Sequence, residues 1–350
     1  MTEPVAVVAC GARTPLGANL AASAAAVRAG MSAVRTHRAP VDAAGEPMSY
    51  AADTFLAPHA PVDERLASLA ATALAEALAP LAGHVHGGAL PLFLGLPEPK
   101  PGLPPGLGAR LATSIDQRAP HGARVTTAVV FPYGHAAGLM ALEHGWRYVQ
   151  DGHAELCVVG GVDSYLAPET LEWLDAEGQL MSARHRAGFP PGEAAGFCLL
   201  ASARATRRYG LRAPAYVARV ATALEACRIK TETVCVGLGL TQAIRDALGA
   251  LRPSQERVAR TYCDLNGERY RSEEFTYAVL RTHKAFVDAN DYVHPADGWG
   301  DVGAATGPLL AGLAVTAAAR GYANGANVLL WASSEGGQRS AAVLRLAPRE

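Results

Sequence analysis

Short apolar runs alternate with alanine-rich helical segments along the whole chain, a rhythm that fits helices covering buried sheets and few other folds. Strands are expected at Val5 to Cys10, Leu92 to Gly95, Arg124 to Val130, Leu156 to Gly160, Phe197 to Ala201, Ala215 to Thr222, Arg260 to Leu265 and Val328 to Ala332. Helices are expected at Leu20 to Ala29, Asp63 to Leu78, Gly138 to Gln150, Gly239 to Leu251, Glu273 to Thr282 and Pro308 to Arg320. Five prolines interrupt Leu96 to Leu107, at 97, 99, 101, 104 and 105, so this stretch is a surface loop or a cover over a site. The class is α/β. With 350 residues, half of them apolar and 18% charged, the chain can bury one large core or two fused ones.

The pattern repeats. A turn of small residues at Gly134 to Gly138 opens an apolar helix, a glycine-containing loop follows, and the next strand ends in Gly160-Gly161. The turn at Gly303 to Gly307 opens a second such helix, and its strand leads to Gly336-Gly337. This duplication divides the chain into an N-terminal half, residues 1–205, and a C-terminal half, residues 206–350, joined near Ala205 to Tyr209.

Several function classes are disfavoured. A net charge of -1 without a lysine or arginine run leaves no footprint for nucleic acid or an anionic membrane. No stretch of about 18 apolar residues is free of charges and turn signals, and the start Met1-Thr2-Glu3-Pro4 lacks the charged lead of a signal peptide, so a cytoplasmic location is expected. Six cysteines without CxxC spacing read as buried reduced thiols and argue against zinc held through sulfur. The Gly11 to Gly17 turn has neither glycine pattern of a phosphate loop, so no nucleotide cofactor is expected.

Five segments, in order, resemble β-ketoacyl-acyl-carrier-protein synthases of the thiolase superfamily. They are Val7 to Gly17 with Thr14-Pro15-Leu16-Gly17; Gly138 to Leu142 with the strand ending Gly160-Gly161-Val162-Asp163; Phe189-Pro190-Pro191-Gly192-Glu193-Ala194-Ala195-Gly196; Tyr262 to Gly267; and Gly300 to Gly307, followed by Glu335-Gly336-Gly337. The resemblance implies a five-layer αβαβα core of two similar halves, usually a homodimer or a heterodimer with a related synthase, acting with an acyl-carrier protein.

It also implies a nucleophilic cysteine at a helix N-terminus, where the helix dipole lowers the thiol pKa, and two neutral donors that hold a malonyl thioester. Matched position by position, the cysteine is replaced by His135, the first histidine by Asn266 and the second by Asp301. A carboxylate at 301 repels both a malonyl carboxylate and a developing enolate. Glu335 stands where the family carries a phenylalanine over the acyl pocket, and Ala296 stands where a lysine would partner Glu193, so Glu193 is expected to lack its partner and the pocket to be polar or collapsed.

These departures imply a non-condensing role, either as the partner of an active synthase or as a scaffold or adaptor in another bacterial system such as secretion. The alternative is an acyltransferase or thioester hydrolase using His135 with Asp301 on an acyl-carrier-protein or coenzyme A thioester. At a helix N-terminus His135 is expected to be a neutral imidazole. His135, Asp301 and Glu335 are suitable ligand types, but one histidine is too few and no metal is expected. His84, His86, His144 and His153 read as exposed or capping, Cys263 as a buried strand thiol, and the run Asp264, Glu268, Arg269, Arg271, Glu273 and Glu274 as a solvated loop or partner surface.

Overall fold

The computed structural model describes residues 3–57, 60–84, 89–120, 123–228, 231, 233–253 and 255–348. Its strands are β1 (Val5–Arg13), β2 (Arg35–Val41), β3 (Pro47–Tyr50), β4 (Ala89–Leu96), β5 (Arg124–Pro132), β6 (Leu156–Ser164), β7 (Glu193–Ala201), β8 (Ala215–Leu224), β9 (Arg260–Cys263), β10 (Tyr292–Val293), β11 (Asn327–Ser333) and β12 (Gln338–Leu346). Its helices are α1 (Leu20–Arg28), α2 (Val62–Leu78), α3 (Leu107–Arg118), α4 (Ala137–Gln150), α5 (Pro168–Ala176), α6 (Ala203–Arg208), α7 (Leu238–Leu248), α8 (Arg269–Thr282), α9 (Ala296–Trp299) and α10 (Thr306–Arg320). Each strand and helix expected above has its counterpart. The β2/β3 hairpin, α3, α5, α6, α9, β10 and β12 are additional.

Ten strands form one ladder in the order β10-β9-β11-β12-β8-β1-β7-β6-β4-β5. Outward from the central β1/β8 pair, each side repeats the same scheme: two antiparallel neighbours, then parallel pairings to the edge. The layering follows from where the helices pack. Helices α4 and α10 touch each other and strands from both sides of the ladder, α2 and α3 cover one outer face, and α7 and α8 the other. That arrangement gives five layers.

Each interlayer space is apolar. Leu139, Leu142, Leu309 and Leu310 fill the centre with Val159 and Leu330; Leu66, Leu69 and Leu74 seal α2 onto Leu92 and Phe197; Leu240, Ile244 and Phe275 seal α7 and α8 onto Trp331 and Val343. Strands β6, β7 and β11 are buried along their whole length, so their apolar runs are continuous rather than alternating. The central helices cross closely at Gly138, where a β-carbon would sit 2.4 Å from Pro308 Cδ.

Both small-residue turns are single 3-10 turns, Gly134–Ala136 and Gly303–Ala305, running directly into α4 and α10. The repeated motif therefore brings two helix starts together at the centre of the molecule. The proline-rich stretch is shorter than expected at both ends, since Leu96 closes β4 and Leu107 opens α3. No helix among the described residues is long and apolar enough to cross a membrane.

Candidate functional site

His135 is delivered by the turn between β5 and α4, Asn266 by the loop after β9, Asp301 by the loop after α9, and Glu335 by the turn between β11 and β12. His135, Asn266 and Asp301 are buried and in direct contact. His135 Nε2 lies 2.8 Å from each Asp301 carboxylate oxygen. Asn266 Nδ2 donates to Asp301 Oδ2 at 2.6 Å, and the Gly303 N–H donates to Asp301 Oδ1 at 2.9 Å. The Phe189 to Gly196 segment fixes the backbone of Asp301, because Asp301 N–H donates to Pro190 O at 2.7 Å and Gly192 N–H to Asp301 O at 2.8 Å. Glu335 is half-buried and joins at one remove: Gln179 Nε2 donates to it and also to Glu268 Oε1 at 3.2 Å.

The centre of this network is a residue expected from sequence in a solvated loop or partner surface. Arg271 has no exposed surface. Its Nη1 donates to Asp264 Oδ2 and to Ser333 O, each at 2.7 Å, its Nε donates to Glu268 Oε2 at 3.1 Å, and its Nη2 lies 3.3 Å from His135 Nε2. Asp264, Glu268 and Glu274 are buried as well, so of that charged run only Arg269 and Glu273 are solvated. The reason is helical: Arg271, Phe275, Ala278 and Thr282 fall on one stripe of α8, and that stripe faces the core. This spacing was the signal available for finding Arg271.

Electrostatics follow from that packing. Burial opposes a charged imidazole and Arg271 opposes it further, but the charge and hydrogen bond of Asp301, with Asp264 behind it, outweigh both and raise His135 above its ordinary pKa. The neutral imidazole expected at a helix start is therefore not favoured, because a carboxylate in contact is a stronger influence than a helix dipole. Asp301 is buried too, yet His135, Arg271 and the Gly303 N–H together hold its pKa well below the carboxylate range. The cluster is a set of buried ions that largely offset one another, with Asp264 Oδ1 left without a hydrogen-bond donor among the described residues.

Space and backbone donors are also taken. The void touching His135, Asp301, Cys263 and Trp299 measures about 10 Å³, room for one water at most. The Ala136 N–H at the start of α4 donates to Ser334 Oγ at 2.8 Å, and Gly336 N–H donates to Glu98 Oε1 at 3.0 Å. From the same proline-rich loop, Lys100 Nζ reaches Asp163 Oδ1 at 2.8 Å and sits 3.4 Å from the Tyr165 ring centroid. The loop is thus pinned across the site by two side chains, Glu98 and Lys100, that sequence reasoning passed over. Replacing Ser334 with alanine would strand the buried Ala136 N–H, and urea denaturation is expected to show a loss of about 1–3 kcal/mol.

One further expectation changes and one holds. Glu193 does have a cation: Arg65 of α2 pairs with both its oxygens, Nε to Oε2 at 3.0 Å, and Ser164 Oγ donates to it at 3.1 Å. The partner comes from a helix distant in sequence. Cys263 is fully buried, and burial pushes its thiol pKa far up, so it has no nucleophilic character. His84, His144 and His153 are exposed, and His86 lies outside the described residues.

Residues 106–219 match the beta-ketoacyl synthase, N-terminal domain, family. No curated protein sequence matches the chain. Among solved structures, the ishigamide ketosynthase/chain length factor superposes with a TM-score of 0.81 at 18% identity, over 99% of this chain and 100% of that one. AntDE:AntF, a type II polyketide synthase acyl-carrier protein in complex with its ketosynthase, gives 0.80 at 16% identity with the same coverage. The fold is that of the thiolase-like ketosynthases. A beta-ketoacyl synthase from Burkholderia phymatum agrees, at 0.73 and 15% identity over 99% of this chain and all of that one. In this ketosynthase-like fold the start of α4 is the position matched above to the nucleophile, and here it carries His135 locked against Asp301.

Proposed function

We propose that the chain is a non-condensing ketosynthase-fold protein that works as the partner or scaffold of a related, intact synthase, with the catalytic positions at 135, 266 and 301 converted into a structural ion cluster. The observation that carries this reading is the burial of Arg271 among His135, Asp264 and Glu268, beside the changed positions. His135, Asn266 and Asp301 are hydrogen-bonded to one another and Glu335 joins through Gln179, as expected of residues kept for folding rather than turnover.

The hydrolase or acyltransferase alternative rests on the His135–Asp301 contact. A general base must be neutral and must reach its substrate. This histidine favours the charged form, is buried, and adjoins a void of about 10 Å³, so the non-catalytic reading is preferred.

The surface for a second chain is argued from the sheet. Strand β5 is an edge of the ten-stranded ladder, nine residues long, and its segment from Val125 to Phe131 carries no charge while Thr126, Ala128 and Val129 are exposed. An uncharged, exposed edge strand is a template for pairing unless something covers it. The related proteins superposed above include a ketosynthase/chain length factor pair, which favours a related synthase as the cover.

Co-expression with an intact ketosynthase encoded nearby tests this. The expected result is co-elution as a heterodimer that Val129→Lys disrupts without unfolding the chain. A chain that stays monomeric beside every such synthase, or association untouched by Val129→Lys, would count against the reading.

A further inference from the structure

Away from the central cluster, the end of β8, the crossover before α7 and the middle of α8 bring together Glu225, Cys235 and Glu274. One ligand atom from each lies within 4.8 Å of the others. Glu225 and Glu274 are buried and Cys235 is half-buried, which leaves a path to solvent. Glu225 is already oriented, since Gly239 N–H donates to its Oε2 at 2.7 Å and Cys227 N–H to its Oε1 at 3.2 Å.

Glu274 supplies the second, independent observation. Its Oε1 accepts from Arg339 Nε at 2.6 Å, but its buried Oε2 has no hydrogen-bond donor among the described residues. A buried carboxylate oxygen without a donor is costly and calls for a proton or a cation. Among the described residues Arg339 is the one cation paired with Glu274.

We propose that Glu225, Cys235 and Glu274 form a zinc site that fastens the β8–α7 crossover to α8. A thiolate with carboxylates suits zinc, whereas magnesium and calcium take oxygen ligands alone. On binding, the Cys235 S–H proton leaves to solvent and the sulfur becomes a thiolate. Zinc and Arg339 then balance the thiolate and the two carboxylates, and the cluster is neutral. Zinc bonds of about 2.0–2.3 Å require tetrahedral ligands roughly 3.5 Å apart, so the three side chains need only draw together slightly, with water in the fourth position. The cysteine spacings argued against zinc through sulfur because this ligand set is assembled from three separate elements and uses a single thiol. Glu274 lies one helical turn beyond Arg271, so the metal would also steady the helix that carries the central cation.

The test uses the full chain stripped with a chelator, titrated with zinc by calorimetry and with cobalt(II) by absorption. The expected result is a single equivalent of zinc, a zinc-dependent rise in Tm, and a thiolate-to-cobalt charge-transfer band. Cys235→Ser should abolish the band and weaken zinc binding at least tenfold while far-ultraviolet circular dichroism is unchanged. Glu225→Gln should weaken zinc binding while retaining the band. Absence of stoichiometric zinc binding, or a cobalt spectrum unaffected by Cys235→Ser, would overturn the proposal.

Discussion

Replacing Arg271 with alanine is expected to cost about 3–5 kcal/mol, a large share of the 5–15 kcal/mol that holds a typical domain together. The guanidinium is completely buried and serves Asp264, Glu268 and the Ser333 carbonyl at once. Without it two buried carboxylates remain with no arginine, and the desolvation each has already suffered is no longer offset. Asp264 already sits above the ordinary carboxylate range because of burial, with Arg271 the main influence restraining it. In the alanine variant its pKa should rise further. Urea denaturation at neutral pH reads the loss directly, and a variant within 1 kcal/mol of the parent would mean that water reaches this cluster.

Asp301→Asn is the second large effect, again about 3–5 kcal/mol where the ion pair is fully formed. The amide retains one acceptor oxygen for donors arriving from His135, Asn266 and Gly303, and its own N–H₂ must then face at least one of them. The pH dependence has a definite sign. His135 is raised above the ordinary imidazole value of 6.5, so its contribution is complete below that pH and is lost as pH rises through the folded-state value. Asp301 is lowered from 3.8, so its contribution is complete above that pH and is lost as pH falls through the folded-state value. The stability gap between parent and Asp301→Asn should therefore be widest between 3.8 and 6.5 and should narrow on the alkaline side. Urea midpoints measured from that window into the alkaline range give the answer, and a gap that stays constant as pH rises well above 6.5 would contradict the ion-pair assignment.

The layered fold was legible because it is written in local terms. Runs such as Leu156-Cys157-Val158-Val159 and helices opened by Gly134 to Gly138 and Gly303 to Gly307 declare buried strands and close helix packing from a few neighbouring residues. Convergence of His135, Asn266 and Asp301 was legible through the order of the motifs, each a turn beside a strand or helix end. Strand β12 was not, since its first three residues are Gln338, Arg339 and Ser340, and only its pairing with β8 and the Arg339–Glu274 contact make burial of that end favourable. Helix α3 follows a proline cluster that masked its Leu107, Leu111, Ile115 stripe. The charged run from Asp264 to Glu274 looked solvated because a buried ion earns its place only through partners far away in sequence, here Ser333, His135 and Arg339.

The central claim is that the ion cluster has replaced condensing chemistry. Incubation of the purified chain, alone and with any synthase that co-elutes with it, with acyl-coenzyme A and malonyl-acyl-carrier protein, following thiol and carbon dioxide release, tests it most directly. The account predicts that the chain alone releases neither above the buffer rate and that His135→Ala changes nothing in the mixture beyond any effect on assembly. Turnover by the chain alone that disappears in a folded His135→Ala variant would contradict it.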